Sequence, residues 1–323
     1  NSVIHWFVYQ QNGGPKMNAG NTSRSTSVAV CTCAILLLCA PLTSSLAAQE
    51  SASEEEPVES TIGAKSAEQE EEAGALAKAA QNPIASVVSL PFQYNVNDGV
   101  GEFGRQQATL NIQPVVPFKL GDKANFVTRT IIPLSSAPIG ETESEFGVAD
   151  IQWTGFYSPQ AKGGLSWGIG PQVNLPLSSN EEILGSGKFS AGPSAVLFYG
   201  TGNWTLGAVV SNVWSFASSS GSKDREDVNF FFAQWFVNYN FGKGLALGTA
   251  PIITCNWEYE TMGDDDDQCT IPLGLQVSKL TFAGSQPLNI LLGYYQNVYH
   301  PIKGADSQVR LQVTLMFPIK PKT

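Results

Sequence analysis

Residues 107–118 read QATLNIQPVVPF, and their two parities have opposite characters. Ala108, Leu110, Ile112, Pro114, Val116 and Phe118 share one parity, while Gln107, Thr109, Asn111 and Gln113 share the other. A period of two marks a strand with two unlike faces. In a soluble sheet the apolar face turns to the protein core. In a membrane barrel it turns outward to lipid and the polar face lines the lumen.

Composition favours the second arrangement. Only 14% of the 323 residues are charged and 42% are hydrophobic, against roughly 25% charged in an ordinary soluble domain. Beyond the N-terminal region there is no run of about 20 apolar residues, which excludes helical membrane spans. A membrane role must therefore use strands.

The one long apolar stretch is VAVCTCAILLLCAPL, residues 28–42, preceded by Met17 and Arg24 and followed by SSLAAQE. That layout reads as a secretory signal peptide over 17–47, cut after Ala47 where Ser45 and Ala47 are small. Residues 1–16 precede the initiator Met17 and read as upstream sequence that is not translated. Cys31, Cys33 and Cys39 leave with the signal. The remaining pair, Cys255 and Cys269, is expected to form one disulfide in an exported chain.

Residues 48–82 read as an acidic, disordered tether. Glu50 to Glu72 holds nine of the 28 acidic residues and few large apolar groups, too little to order itself. AGALAKAAQ, 73–81, has the residues of a short helix, which Asn82 and Pro83 would stop.

From residue 83 to 323 the pattern is β-rich. Strands are expected near 84–97, 106–118, 123–133, 147–158, 164–177 and 188–199. Six more are expected near 204–216, 227–241, 245–259, 269–280, 286–299 and 306–318. The connectors alternate between long ones, such as SSAPIGETESEF and ASSSGSKDRED, and tight ones, such as KLGDK, GTGN and FGKG. An even number of strands joined by alternating long and short hairpins is the pattern of an antiparallel transmembrane β-barrel. The acidic residues gather in the long connectors, and Lys119, Lys123, Lys162, Lys243 and Lys279 mark the short ones. WGIGPQVNLPL and QVRLQVTLMF repeat the alternation of the opening stretch. Trp153, Tyr157, Trp167, Tyr199, Trp204, Trp214, Trp235, Tyr239, Trp257, Tyr294 and Tyr295 are expected in interfacial girdles. Proline cannot donate to a ladder, so Pro91, Pro114, Pro171, Pro193, Pro251 and Pro272 should mark bends or bulges.

Parity then assigns a lumen face. The pore-lining candidates are Gln107, Thr109, Asn111, Gln113, Arg129, Asp150, Gln152, Gln172, Asn174, Gln234, Asn238, Asn240, Gln276, Gln308, Arg310 and Gln312. Most are neutral amides, which predicts hydrogen bonding to solutes with little charge selection. Arg129, Asp150 and Arg310 are expected to form an internal ion pair.

Asp264, Asp265, Asp266 and Asp267 form an acidic hairpin tip. They are weak metal candidates, because the run lacks the spaced ligands of a calcium loop, and a solvated tip is the plainer reading. The segment after the signal contains one histidine, His300, so histidine zinc clusters are excluded. There is no GxSxG elbow and no phosphate-binding loop, so neither catalysis nor a cofactor is expected. A net charge of −10 and the lack of a basic stripe exclude nucleic acid as a partner.

LAKAAQNPIASVVSLPFQYN, NIQPVVPF, TRTIIPL, WGIGPQVNLP, GKFSAGPSAV, VVSNVWSFA and APIITCNWE together resemble the outer-membrane proteins grouped under the meta-cleavage pathway of phenol degradation, which often carry a neuromedin U label. The resemblance covers about residues 76–318. It implies a porin-like barrel with a transport role for aromatic or hydrophobic compounds, and it brings no catalytic site.

The expectation is thus an all-β, twelve-strand outer-membrane barrel acting as a passive channel. Its partners would be outer-membrane lipid, a small-molecule solute and, during insertion, the barrel-assembly machinery. Two rivals remain at this point: a lipid-hydrolase barrel using His300, and a secreted soluble β-protein with a binding role.

Overall fold

A computed structural model describes residues 73–261 and 267–318. The expected leader, the acidic stretch 50–72 and Asp264 to Asp266 lie outside the described residues. Fifteen strands carry the alternation onward: β1 (Val88–Val100), β2 (Arg105–Ile112), β3 (Val115–Leu120), β4 (Ala124–Ile139), β5 (Glu143–Val148), β6 (Ile151–Pro159), β7 (Leu165–Leu175) and β8 (Lys188–Thr201). The remainder are β9 (Trp204–Ser218), β10 (Asn229–Gly242), β11 (Leu245–Thr249), β12 (Ile252–Asn256), β13 (Cys269–Ala283), β14 (Gln286–Tyr299) and β15 (Ser307–Phe317). A helix α1 spans 73–81, and a single turn α2 spans Glu181–Leu184.

Every pairing is antiparallel, and the sheet closes on itself. β15 meets β1 from Val88↔Phe317 to Asp98↔Ser307, and β9 meets β10 from Trp214↔Asn229 to Trp204↔Tyr239. Three staves are interrupted: β2 with β3, β5 with β6, and β11 with β12 each continue one another against the same neighbour. The fifteen strands therefore make the expected twelve staves. Closure satisfies every stave edge, a condition that hydrocarbon imposes because it offers no hydrogen-bond partner.

Prolines accompany two of the three interruptions, and the third, between β5 and β6, falls at Ala149 and Asp150. Pro114 falls between β2 and β3, Pro251 opens the break before β12, and Pro272 sits at a register shift between β13 and β14. Pro171 of β7 directly faces Pro193 of β8. On the far side of each, the ladder skips: β6–β7 has no rung between Thr154↔Gln172 and Tyr157↔Ile169, and β8–β9 none between Ala191↔Trp214 and Ser194↔Ser211. Glycine completes this thin wall, since a Cβ on Gly170 would lie 1.8 Å from the Gly155 carbonyl oxygen, and one on Gly192 as close to that of Asn212. Pro91 departs from the expectation and lies within continuous pairing to β15.

The faces are inverted relative to a soluble sheet. Thr109 and Asn111 are fully buried, whereas Leu275, Ile169, Phe118 and Tyr294 are more than half exposed. Those exposed groups form the band that meets lipid, with Trp167, Trp204, Trp214, Trp235 and Trp257 among the exposed aromatics. Tyr295 is a correction to the expected girdle, being 1% exposed. Adjacent residues of a strand point to opposite faces, so Tyr294 and Tyr295 cannot both meet lipid.

At the long-connector end, α2 is locked to the connector before β10. The Arg225 guanidinium donates to the carbonyls of Glu181 at 2.5 Å and Gly185 at 3.0 Å, and Ser222 donates to the Glu181 carboxylate at 2.7 Å. Lys188 pairs with Asp227 at 3.4 Å. Cys255 and Cys269 are joined, with S–S 2.06 Å, across the base of the β12–β13 hairpin.

Candidate functional site: the lumen

The inward faces of β1, β2, β4 and β15 present amides, hydroxyls and guanidiniums. Thr109 Oγ1 and Ser135 Oγ lie 2.8 Å apart, and Asn97 donates to Gln107 at 3.2 Å. Arg129 donates from Nη2 to Gln113 Oε1 at 2.5 Å, Gln113 donates to Gln93 at 3.2 Å, and Gln93 to Asn95 at 3.1 Å. Arg310 donates from Nη1 to the Ala250 carbonyl at 3.1 Å and from Nη2 to Gln308 at 2.9 Å. Gln308 in turn donates to Asn97 at 2.9 Å. The interrupted stave β11–β12 thus supplies a free carbonyl at Ala250, and Arg310 uses it.

Further around the wall, Gln276 accepts from the Tyr295 hydroxyl at 2.8 Å and donates to Asn238 at 3.3 Å. The Arg310 guanidinium stacks on the Tyr295 ring, 4.7 Å from its centroid, a cation–π contact. Asn240 accepts from Gln81 at 2.9 Å, Gln234 donates to Ala250, and Gln172 donates to Asn174. Gln152 stands opposite Asn174 in register, and Gln312 donates to Thr314 at 3.0 Å.

Asp150 is a correction. It does not meet either arginine; its carboxylate accepts from the backbone N–H and hydroxyl of Ser186, both at 2.7 Å. The break between β5 and β6 falls at Ala149 and Asp150, and the carboxylate there anchors the connector that follows β7. Among the described residues neither Arg129 nor Arg310 has a carboxylate partner. The expected internal ion pair is absent from them.

Sequence parity misses a second kind of inward residue. Val127, Phe156, Val196, Val209, Phe232 and Ile252 are buried together inside the barrel, with Val115 against them. Phe198 and Phe236 add a ring pair 6.2 Å apart. One sector of the lumen wall is therefore apolar. Inward polar groups also missed are Gln93, Asn95, Asn97, Ser278 and Asn289, all buried; alternation in FQYNVN is the available signal for the first three.

The last residues of the expected 48–82 tether are helical, as AGALAKAAQ implies, but they are packed inside the barrel. Ala73, Leu76 and Ala77 of α1 lie on Leu280 and Met316. Lys78 donates to the Gly202 carbonyl at 2.7 Å, in the short turn between β8 and β9. Thr205 hydrogen-bonds Gln81. Ile84 then enters the apolar cluster. An alanine-rich face is enough to order the helix once a lumen wall is present to cover it.

Between this segment and the wall lies a cavity of about 160 Å³. Arg129 and Arg310 are its two charged lining residues, with Gln93, Gln113, Gln234 and Gln312 also on its surface. His300 stands apart at the long-connector end, its Nδ1 2.9 Å from the Pro301 carbonyl and its Nε2 3.4 Å from Asp306. No serine is among those partners. Among the described residues no cluster could hold a metal ion, and Asp267 is the one described member of the acidic tip.

A closed barrel with a lipid-facing apolar band and a hydrogen-bonding lumen is an outer-membrane β-barrel of the bacterial envelope. The sequence profile of the family described as "Putative MetA-pathway of phenol degradation" matches residues 81–266. The chain belongs to that family. Among solved structures it is similar to an outer membrane channel from Pseudomonas putida F1, at 16% identity and TM-score 0.54, covering 72% of this chain and 94% of that one. The NanC porin matches at 11% identity and TM-score 0.46, covering 72% of this chain and 100% of that one. An outer membrane phospholipase dimer of Salmonella typhi matches at 11% identity and TM-score 0.41, with 71% and 90% covered. A search of curated proteins finds no match. The first of these likenesses supports the fold; the other two add no argument.

Proposed function

We propose that the barrel passes small molecules passively across the outer membrane through its lumen, and that residues 73–87 narrow the path at the short-turn end. The observation that carries this reading is the cavity. It is bounded by hydrogen-bonding side chains of the wall on one side and by 79–87 on the other, so the occluding element is the segment that leads into β1 and not the wall itself. The family description, with its reference to phenol degradation, supports aromatic or weakly polar solutes as cargo. Outer-membrane lipid would contact the exposed band, and the barrel-assembly machinery would insert the chain.

Single-channel recording in planar bilayers tests the proposal. The full chain should give small openings, and a variant lacking 73–87 should give openings several-fold larger. A barrel that inserts but conducts in neither form would overturn it. The hydrolase rival finds no support at His300, whose ring nitrogens lie against a carbonyl and a carboxylate.

A further inference from the structure

A barrel interior that held only neutral amides would discriminate little by charge. This one holds two guanidiniums and no carboxylate on the same cavity. Arg310 is 3% exposed, and its Nε has no hydrogen-bond partner. Asn95, opposite Arg310 in the β1–β15 register, is 1% exposed and also leaves its amide Nδ2 without an acceptor. Unmatched cations inside a membrane protein are costly and mark solute paths. Unmatched donors beside them add to that cost. The unmatched charge on the cavity is relieved by a guest that brings negative charge and acceptor oxygens.

The rest of the lining limits the guest further. Val87, Val115, Phe236, Leu291 and Met316 give the cavity an apolar side. An apolar cavity of about 150 Å³ holds a benzene ring, and this one is about 160 Å³. Guanidinium forks match a carboxylate in two-point geometry. We propose that the lumen contains a binding site for a small organic monocarboxylate, its carboxylate held between Arg129 and Arg310 and its single ring or short chain on the apolar side. The channel is accordingly selective for anions. This rests on the reading of the lumen as the solute path, but the site itself does not require that the path be open.

Calorimetric titration of the detergent-folded full chain with benzoate, and with benzyl alcohol as a neutral ring of similar size, tests the site without any conduction. Benzoate should bind and benzyl alcohol should not. Arg129→Gln and Arg310→Gln should each weaken benzoate by about tenfold or more, the usual loss of a hydrogen bond to a charged group. Arg310→Lys should recover part of that loss. Heat-modifiable gel migration confirms that each variant is a folded barrel, and Arg129→Gln keeps the test alive if Arg310→Gln fails to fold. Equal binding of the two ligands, or benzoate binding unchanged in both glutamine variants, would overturn the proposal. Reversal potentials in a salt gradient supply the second readout, with an anion preference that falls in the same variants. Benzoate binding by a barrel that never conducts would refute the channel and leave the site standing.

Discussion

The lumen wall has two sectors that differ in kind. One runs through β15, β1, β2 and β4 and is lined by Arg310, Asn95, Thr109, Asn111, Gln113 and Arg129; the other runs through β6, β8, β9 and β10 and is lined by Phe156, Val196, Val209 and Phe232. Both are buried inside one barrel, and both have lipid on their other side. The difference shows that in such a barrel burial does not set polarity. What the lumen holds differs between them: Gln113, Arg129 and Arg310 of the first sector line the cavity, and the second packs on Ile84 of the segment before β1.

The largest expected effect tests inside against outside. Leu292 and Gln312 lie on neighbouring strands one residue out of register, since Leu292 pairs with Leu311 and Leu291 with Gln312. Leu292→Arg places a charge in hydrocarbon and should cost about 2–4 kcal/mol if it lies near the midplane. Gln312→Arg places the same charge in the lumen and should cost less than Leu292→Arg while strengthening the anion preference. Equal losses in the unfolding midpoint would break the assignment of faces.

A smaller, local effect tests the apolar sector. Ile84→Ala removes the one side chain with which the N-terminal segment enters that cluster. It should weaken docking of the segment by about 2 kcal/mol or more. Bilayer recording should then show more frequent openings with the melting of the barrel unchanged; a lower melting temperature with unaltered gating would assign Ile84 to the wall instead.

The polar sector is legible in the amino-acid sequence, because QATLNIQPVVPF and QVRLQVTLMF alternate cleanly. The apolar sector is legible only as strand. NFFFAQWFV, residues 229–237, carries aromatic residues on both parities, so Phe232 inside and Phe231 outside are told apart only by the parity of Gln234. Asp150 escapes a parity argument for a related reason: parity places a side chain on a face but says nothing of its height, and the carboxylate lies beside the connector it anchors. The terminal helix is visible in AGALAKAAQ, but its burial is not, because its partners Leu280 and Met316 are more than two hundred residues away along the chain.

The smallest effect lies at the acidic rim. Partial desolvation at the connector raises the Glu226 carboxyl above its usual value of 4.5, although the residue is exposed, and the neighbouring charges of Glu260 and Glu258 raise it further. A carboxyl that binds its proton more tightly when folded stabilises the fold at pH below 4.5, and that contribution is lost as pH rises through the raised value. Glu226→Gln should therefore flatten the unfolding midpoint against pH across that window. An unchanged profile would remove Glu226 from the account of the rim and sharpen the contrast with the cationic lumen.

Facing prolines have a mechanical consequence. Pro171 and Pro193 keep β7 and β8 paired to each other while rungs are missing on both outer seams, to β6 and to β9. The hairpin is thus a stiff panel set between two compliant joints at the same level of the wall. Shear and radial strain concentrate at those joints, so a barrel that widens for a bulky solute yields there before it yields anywhere along the continuous seams of β14, β15 and β1.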